Sequence, residues 1–308
     1  MLLLLCMHFA LGIDFSVSGF SSGGCMAMQM HISHSSQVTG VGILGAVPYH
    51  CAQSLPDPSV CLLDPKNINI TKLISYARKQ ESIGTIDSLL NLPRAKLWVQ
   101  GGTRDTMVPQ EAVRKIQEFY EELQVTVTSV YGINNIHAFI TDNFGNPCWY
   151  YAKPYISNCK LDAAGEILKL TYKDLKNRGK FNKYHLYKFS QKDFISEEAG
   201  MDDFGYVYTP DKCKSQVKCE VHMFLHGCGM NTEYIGESLI YYSGFNEWAE
   251  TNNLIIIYPQ AARHHPYNHG ACWDALGTND INYANKQGKQ ISALYLIIQN
   301  IQSILISL

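Results

Sequence analysis

Runs of β-branched and aromatic residues alternate along the chain with longer stretches in which apolar residues recur at helical spacing. The runs predict strands at residues 13–18, 41–46, 96–100, 125–130, 184–189, 204–208, 221–225 and 254–258. The longer stretches predict helices at residues 24–34, 109–123, 163–175, 236–251 and 290–308. Alternating strands and helices are typical of βαβ units, so the pattern indicates an α/β fold on a mostly parallel, eight-stranded sheet. The last predicted helix is apolar on most sides, and we expect it to pack under the sheet.

The 308 residues are 46% hydrophobic and 17% charged, with a net charge of −2, which is ordinary for a globular protein. The basic residues are scattered, and this excludes the electrostatic footprint of a nucleic-acid-binding protein. No repeat, low-complexity tract or Pro/Ser-rich linker interrupts the chain. We therefore expect one domain over residues 13–308.

Residues 1–12 form an apolar segment that ends in Ala10-Leu11-Gly12, a small-x-small cleavage pattern. The segment lacks the basic start of a signal peptide, and it is too short to span a bilayer. We interpret it as a signal peptide. A buried strand or helix, or a truncated start, is the alternative.

Ten cysteines are many for a cytosolic protein, and they include no CxxC pair of the zinc or thioredoxin type. Six of them form short-range couples that predict disulfide-closed loops: Cys51/Cys61, Cys148/Cys159 and Cys213/Cys219. Such bonds need an oxidising compartment. The glycosylation sequon at residues 69–71 also favours secretion. The sequence thus favours an extracellular protein, with free buried thiols as the alternative.

Residues 19–23 read Gly-Phe-Ser-Ser-Gly and fall between a predicted strand and a predicted helix. A GxSxG motif in this position is typical of the nucleophile elbow, where glycines let the chain turn sharply and the serine hydroxyl projects from the sheet edge. Ser21 is therefore the candidate nucleophile. The alternative is a turn serine that caps the following helix.

A serine nucleophile needs a base, and the base needs an orienting carboxylate. Asp105 and His137 each lie in a loop that follows a predicted strand, where active-site residues collect in α/β folds. Ser, Asp, His is also the chain order of α/β-hydrolase triads. The alternative for Asp105 is an ion pair with Arg104, and the alternative for His137 is a surface histidine.

An oxyanion hole usually takes one donor from a loop that precedes the nucleophile in the chain. The candidate nucleophile is residue 21, and a suitable loop, His226-Gly227-Cys228-Gly229, lies late instead. This arrangement predicts a circularly permuted chain, which is tolerated because domain termini are often close together.

The permuted order makes further predictions about the sheet. The strand at 13–18 is expected between those at 254–258 and 41–46. The chain ends are expected on one side of the molecule, with the last helix leading back towards residue 13.

Seven stretches then become informative together: Val17-Ser18-Gly19-Phe20-Ser21-Ser22-Gly23-Gly24, Pro48-Tyr49-His50-Cys51, Pro154-Tyr155-Ile156-Ser157-Asn158-Cys159, Gly205-Tyr206-Val207-Tyr208, Leu225-His226-Gly227-Cys228, Tyr258-Pro259-Gln260-Ala261 and Cys272-Trp273-Asp274. Through them the chain resembles the poly(3-hydroxybutyrate) depolymerase catalytic domain, in its circularly permuted single-domain form. The resemblance spans nearly the whole chain. The sequence departs from the family pattern at Ala275-Leu276, where aromatic residues are usual, and at Ile140, where a proline is expected after the histidine loop. We expect no separate polymer-binding module.

The resemblance implies an α/β-hydrolase in which Ser21 is the nucleophile, Asp105 the acid and His137 the base. It also implies that the backbone N–H groups of Ser22 and Cys228 hold the oxyanion. Trp273 is then expected to line the ester-binding crevice.

The implied function is a secreted serine esterase that hydrolyses poly- or oligo-3-hydroxybutyrate esters through an acyl-enzyme. Such an enzyme needs no metal or organic cofactor, and we expect a monomer without a membrane span. One alternative is a secreted carboxylesterase of the feruloyl or acetyl esterase type. The other is a non-catalytic protein that kept the fold.

A fourth disulfide is predicted between Cys228, in the expected oxyanion loop, and Cys272, directly before Trp273. The bond would tie both walls of the active site together and leave Cys6 and Cys25 unpaired. The alternative is that Cys228 fills its loop as a small apolar residue while Cys272 packs elsewhere.

Overall fold

The computed structural model describes residues 12–308 apart from residues 56, 197, 215–217, 264–265 and 267. The signal-peptide interpretation and Cys6 fall on residues 1–11, outside the described residues. Among the residues that are described, no helix has the length and apolarity needed to cross a membrane.

All the predicted strands are present and form one eight-stranded sheet, in the order β4-β3-β2-β1-β10-β11-β9-β8. In chain order the strands are β1 (Phe15–Phe20), β2 (Val38–Leu44), β3 (Lys96–Gly101), β4 (Val127–Tyr131), β5 (Phe139–Thr141), β6 (Asn146–Pro147), β7 (Ile156–Asn158), β8 (Leu186–Ser190), β9 (Phe204–Tyr208), β10 (Glu220–Leu225) and β11 (Leu254–Tyr258). The pairs from β4 to β11 are parallel, and β9 and β8 add two antiparallel pairs at one edge. The remaining strands form a small parallel sheet, β5-β7-β6.

The helices cover both faces of the large sheet. They are α1 (Ser22–Ser33), α2 (Cys51–Ser54), α3 (Val60–Leu63), α4 (Ile70–Ser82), α5 (Gln110–Glu122), α6 (Ala163–Thr171), α7 (Asp211–Lys214), α8 (Thr232–Ile235), α9 (Ser238–Tyr242), α10 (Phe245–Asn252), α11 (Lys289–Gln299) and α12 (Ile301–Ile306). One hydrophobic core contains α1, α4, α5 and α11, and a second contains α6 and α10. Every residue of α1 is buried, so the helix after the Ser21 turn is held on all sides.

Two of the predicted helices are interrupted in the structure. The stretch 236–251 divides into α9 and α10 because Gly244 adopts a φ of 93°, a left-handed conformation that a helix cannot continue through. The stretch 290–308 divides at Asn300 into α11 and α12. The expected packing of this last segment is confirmed for one face only, since Leu296 and Ile306 are exposed.

The predicted neighbours of the first strand are wrong on one side. Strand β1 lies in the middle of the sheet as expected, but it pairs with β10 and β2 rather than with β11 and β2. The prediction assumed that strands follow the permuted chain order across the sheet, whereas β11 pairs with the outer side of β10. As a result, the carboxyl ends of β1 and β10 are adjacent, and so are the loops that follow them.

The last long helix does lead back to the first strand. The Ile13 backbone N–H donates to Gln299 Oε1 at 2.8 Å, and Gln299 Nε2 donates to the Ile13 carbonyl at 3.3 Å. Helix α11 therefore ends beside residue 13, as the sequence predicted.

Candidate active site

Ser21 occupies a strained turn between β1 and α1. Its backbone has a φ of 56° and a ψ of −124°, in a region that residues other than glycine rarely adopt. A Cβ on Gly19 would lie 2.1 Å from the Gly23 carbonyl oxygen, and a Cβ on Gly23 would lie 2.2 Å from that of Leu225. Because only glycine fits at both positions, the sequence can make the sharp turn that points the Ser21 hydroxyl away from the sheet.

The structure brings the three predicted triad residues into one hydrogen-bonded chain. His137 Nε2 lies 2.9 Å from Ser21 Oγ, and His137 Nδ1 lies 2.7 Å from Asp105 Oδ2. The other carboxylate oxygen, Asp105 Oδ1, accepts the backbone N–H groups of Met107 at 3.0 Å and Val108 at 2.8 Å. Asp105 and His137 are both buried, so water competes little for these bonds. The arrangement can move a proton from Ser21 to His137.

Asn135 fastens the loop that carries His137 to the loop that carries Asp105. Its side-chain oxygen accepts from Gln100 Nε2 at 2.8 Å, and its backbone carbonyl accepts from the Arg104 N–H at 3.1 Å. Gly102 allows this approach, because a Cβ there would lie 2.3 Å from the Asn135 carbonyl oxygen. Sequence analysis missed Asn135, since a buried loop amide that acts mainly through hydrogen bonds to another loop leaves no motif.

The loop after β10 packs directly against the Ser21 turn. A Cβ on Gly227 would lie 3.2 Å from Ser21 Cβ, and Cys228 lines a cavity together with Ser21 and Ser22. Both residues whose N–H groups are predicted to hold the oxyanion are therefore next to the candidate nucleophile. Their role as donors stays a prediction.

His226 fixes the shape of that loop. Its Nε2 accepts the Ala261 backbone N–H at 3.0 Å, so Nδ1 carries the proton and donates to the Gly227 carbonyl at 2.8 Å. Burial lowers the pKa of His226 to about 4, which keeps the ring neutral and both bonds intact at neutral pH. The sequence motif contained His226, but nothing in it indicated this role.

Comparison with known proteins decides the family. The chain is 34% identical over 309 residues to the polyhydroxybutyrate depolymerase of Talaromyces funiculosus, and the alignment covers 94% of this chain and 89% of that relative. The chain belongs to the polyhydroxybutyrate (PHB) depolymerase family. It is also 32% identical over 297 residues to the poly(3-hydroxybutyrate) depolymerase of Delftia acidovorans, covering 94% of this chain but only 59% of that relative's length. No protein-family profile matches the chain.

Solved structures agree with this assignment. The crystal structure of the PHB depolymerase from Penicillium funiculosum matches with a TM-score of 0.85 and 30% identity, over 95% of this chain and 97% of that one. A serine-to-alanine variant of a PHB depolymerase, complexed with an R3HB trimer, matches with the same values. The predicted α/β-hydrolase fold is confirmed.

Four disulfides brace this PHB depolymerase fold, and they join the cysteines in the pairs that sequence analysis expected. The bonds are Cys51–Cys61, Cys148–Cys159, Cys213–Cys219 and Cys228–Cys272. Among the described cysteines Cys25 is left free, and burial raises the pKa of its thiol to about 11. Cys25 is therefore a protonated, unreactive thiol at neutral pH.

Trp273, which the family resemblance placed in the ester-binding crevice, lies in the wall of a cavity beside Ser21. Its side chain is only 1% exposed, so it supports the wall more than it forms an open face. The following residue holds the loop in place: the Asp274 carboxylate accepts five backbone N–H groups, from residues 276–280. The backbone N–H of Trp273 donates to Ser22 Oγ at 3.3 Å.

Two cavities meet at Ser21. One of about 160 Å³ is lined mainly by aromatic and thioether side chains together with the candidate base: Phe20, Ser21, Leu62, Met107, Val108, His137, Tyr151, Tyr155, Cys228 and Met230. The other, of about 180 Å³, is lined almost entirely by apolar groups: Ser21, Ser22, Cys25, Gly45, Ala46, Val47, Pro58, Cys61, Leu62, Val108, Cys228, Cys272, Trp273, Ala275 and Leu276. Apolar cavities on both sides of a nucleophile suit a substrate with a hydrocarbon portion on each side of its reacting bond.

Proposed function

We propose that this chain is a serine esterase that hydrolyses 3-hydroxybutyrate esters, in oligomers or in the polymer, through an acyl-enzyme. The observation that carries the proposal is the Ser21–His137–Asp105 chain at the point where two apolar cavities meet. Membership of the PHB depolymerase family supports the substrate class, as does the related enzyme complexed with an R3HB trimer.

In the first half-reaction, Ser21 Oγ attacks the ester carbonyl carbon while His137 Nε2 takes the hydroxyl proton. Asp105 accepts the His137 Nδ1–H, which holds the proton-accepting tautomer and stabilises the imidazolium. The oxyanion of the tetrahedral intermediate takes hydrogen bonds from the N–H groups of Ser22 and Cys228. His137 then protonates the leaving oxygen, the C–O bond breaks, and the acyl group stays on Ser21.

In the second half-reaction, His137 removes a proton from a water molecule that attacks the acyl carbonyl. The second tetrahedral intermediate collapses, the bond to Ser21 Oγ breaks, and His137 returns the proton to the serine. The products are one alcohol and one carboxylic acid.

The position of His137 supports an assignment of the two cavities. His137 must protonate the leaving oxygen, and it lines the 160 Å³ cavity with Tyr151 and Tyr155 but not the cavity beside Trp273. The alcohol portion of the ester therefore lies on the tyrosine side, and the acyl portion lies on the Trp273 side.

An ester panel on the purified protein tests the substrate class. We expect the highest kcat/KM for hydroxybutyrate oligomers, and much lower values for acetyl and feruloyl esters of similar size. A preference for feruloyl or acetyl esters would instead support the carboxylesterase alternative. Failure of Ser21 to react with a labelled fluorophosphonate would support a non-catalytic protein.

We infer that the protein is extracellular, since four disulfides are typical of proteins that fold in an oxidising compartment and are rare in the cytosol. The sequon residue Asn69 is exposed, and its Oδ1 caps α4 by accepting the Lys72 N–H at 3.0 Å. When the protein is expressed in a eukaryotic secretory host, we expect it in the medium, and we expect glycosidase treatment to lower its mass. Asn69→Asp keeps a capping oxygen but removes the sequon, so glycosidase treatment should leave the mass of this variant unchanged. Retention in the cells with free thiols would contradict secretion.

We further propose that residues 13–308 are one catalytic domain with a circularly permuted order. The Ile13–Gln299 contact supports the proposal. A variant whose chain is opened between α6 and β8, and whose present ends are joined by a short linker, should fold and keep esterase activity. An inactive, unfolded product with every linker length would count against permutation.

A further inference from the structure

The two cavities share four lining residues, and only two of these belong to the reacting centre. Ser21 and Cys228 carry the proposed nucleophile and an oxyanion donor, whereas Leu62 and Val108 are purely aliphatic. A residue that lines both cavities lies at the boundary between them. Leu62 and Val108 are therefore the aliphatic residues of this boundary, beside Ser21.

The two aliphatic residues of this boundary are held in different ways. Val108 is buried, and its backbone N–H donates to Asp105 Oδ1 at 2.8 Å, so it is fixed by the carboxylate that orients His137. Leu62 lies on the short helix α3, directly after Cys61, and the residue is 37% exposed. The Cys51–Cys61 disulfide anchors this loop beside the cavity. Leu62 is therefore the side that faces solvent and can be changed without disturbing Asp105.

We propose that Leu62 is a specificity-determining residue that limits the size of the branch carried by the ester chain at Ser21. The inference rests on the proposed function of Ser21 as the nucleophile. A chain that bridges the two cavities must pass Leu62 and Val108 next to the reacting carbonyl. A methyl branch, as in hydroxybutyrate, passes this point, whereas a pentyl branch, as in hydroxyoctanoate, collides with Leu62.

The test uses fluorophosphonates with a small and a bulky branched alkyl group, because they report on Ser21 whatever the natural ester is. Ser21 Oγ attacks phosphorus, the P–O bond forms, the P–F bond breaks, and the serine proton leaves through His137 with fluoride. Leu62→Ala should raise the labelling rate of the bulky probe relative to the small one by about tenfold, and Leu62→Phe should lower the ratio. Leu63→Ala is the matched control, since Leu63 is 82% exposed and lines neither cavity, and its ratio should equal that of the parent protein.

The same variants are then assayed on dimers of 3-hydroxybutyrate and 3-hydroxyoctanoate, with thermal melting to confirm that each is folded. A folded Leu62→Ala protein with the parental probe ratio would overturn the proposal, and so would an equal change in Leu63→Ala. Failure of every probe to label Ser21 would overturn it together with the proposed function. Labelling that depends on Leu62, in a protein that cleaves no hydroxybutyrate ester, would support this inference and refute the substrate assignment alone.

Discussion

Replacing Asp105 by asparagine is expected to disable Ser21 while the protein stays folded. Asp105 Oδ1 accepts two backbone N–H groups, and Oδ2 lies 2.7 Å from His137 Nδ1. In the variant the amide oxygen must take the Oδ1 position, because an NH₂ group there would face two donors. The NH₂ group then donates to His137 Nδ1, and the ring proton moves to Nε2.

A protonated Nε2 cannot accept the Ser21 proton across the 2.9 Å that separates the two atoms. In serine proteases the corresponding substitution lowers kcat about 10⁴-fold, or about 5.4 kcal/mol of transition-state stabilisation. We expect a loss of the same order here. The melting temperature should change little, because the amide oxygen keeps both backbone hydrogen bonds.

The assay is kcat on a soluble hydroxybutyrate dimer, measured for the parent protein, Asp105→Asn and Asp105→Ala. Alanine presents no donor to His137 Nδ1, so the productive tautomer stays accessible and Asp105→Ala should be more active than Asp105→Asn. The reasoning is refuted if a folded Asp105→Asn protein keeps more than about a tenth of the parental kcat. It is also refuted if the alanine variant is the less active of the two.

Three further outcomes are expected. Gly23→Ala should fail to form the Ser21 turn, because its Cβ would lie 2.2 Å from the Leu225 carbonyl oxygen; soluble, active protein would contradict the elbow geometry. Replacing both Cys228 and Cys272 by alanine opens a loop with a sequence separation of 44, so the free energy of unfolding measured in urea should fall by about 4 kcal/mol. An unchanged unfolding midpoint would count against the bond. Burial lowers the pKa of His222 from its ordinary value of 6.5 to about 3. The neutral ring therefore contributes its full stability above pH 6.5. As the pH falls from 6.5 towards 3, the free energy of unfolding should decrease by about 1.4 kcal/mol per pH unit. His222→Phe leaves two serine hydroxyls without their ring partner and should be less stable at pH 7, but with a shallower decline towards pH 4; a parallel decline would show that His222 does not contribute.

The sequence predicted the strands well because each run contains β-branched or aromatic residues, and the central strands are also buried almost throughout. It also placed Ser21, Asp105 and His137 together, since each follows a strand whose carboxyl end faces the same edge of one parallel sheet. The neighbour of β1 was wrong because crossover connections, rather than chain order, decide which strands pair.

Other features had no sequence signal that could have revealed them. The strands β5, β6 and β7 have two or three residues each, which is too short for a period to show. The break at Gly244 depends on a backbone conformation, and isolated glycines also occur inside helices. Asn135 and His226 act by bonding the backbone of other segments, a contact that exists only once the chain has folded.

The central claim is that Ser21 cleaves hydroxybutyrate esters, and the most direct measurement is the release of 3-hydroxybutyrate from its trimer. We predict steady release by the parent protein, none above background by Ser21→Ala, and substantial release by Ser22→Ala, since alanine keeps the backbone N–H proposed to hold the oxyanion. Trimer cleavage that persists in Ser21→Ala, or a folded parent protein that releases no hydroxybutyrate, would contradict the account.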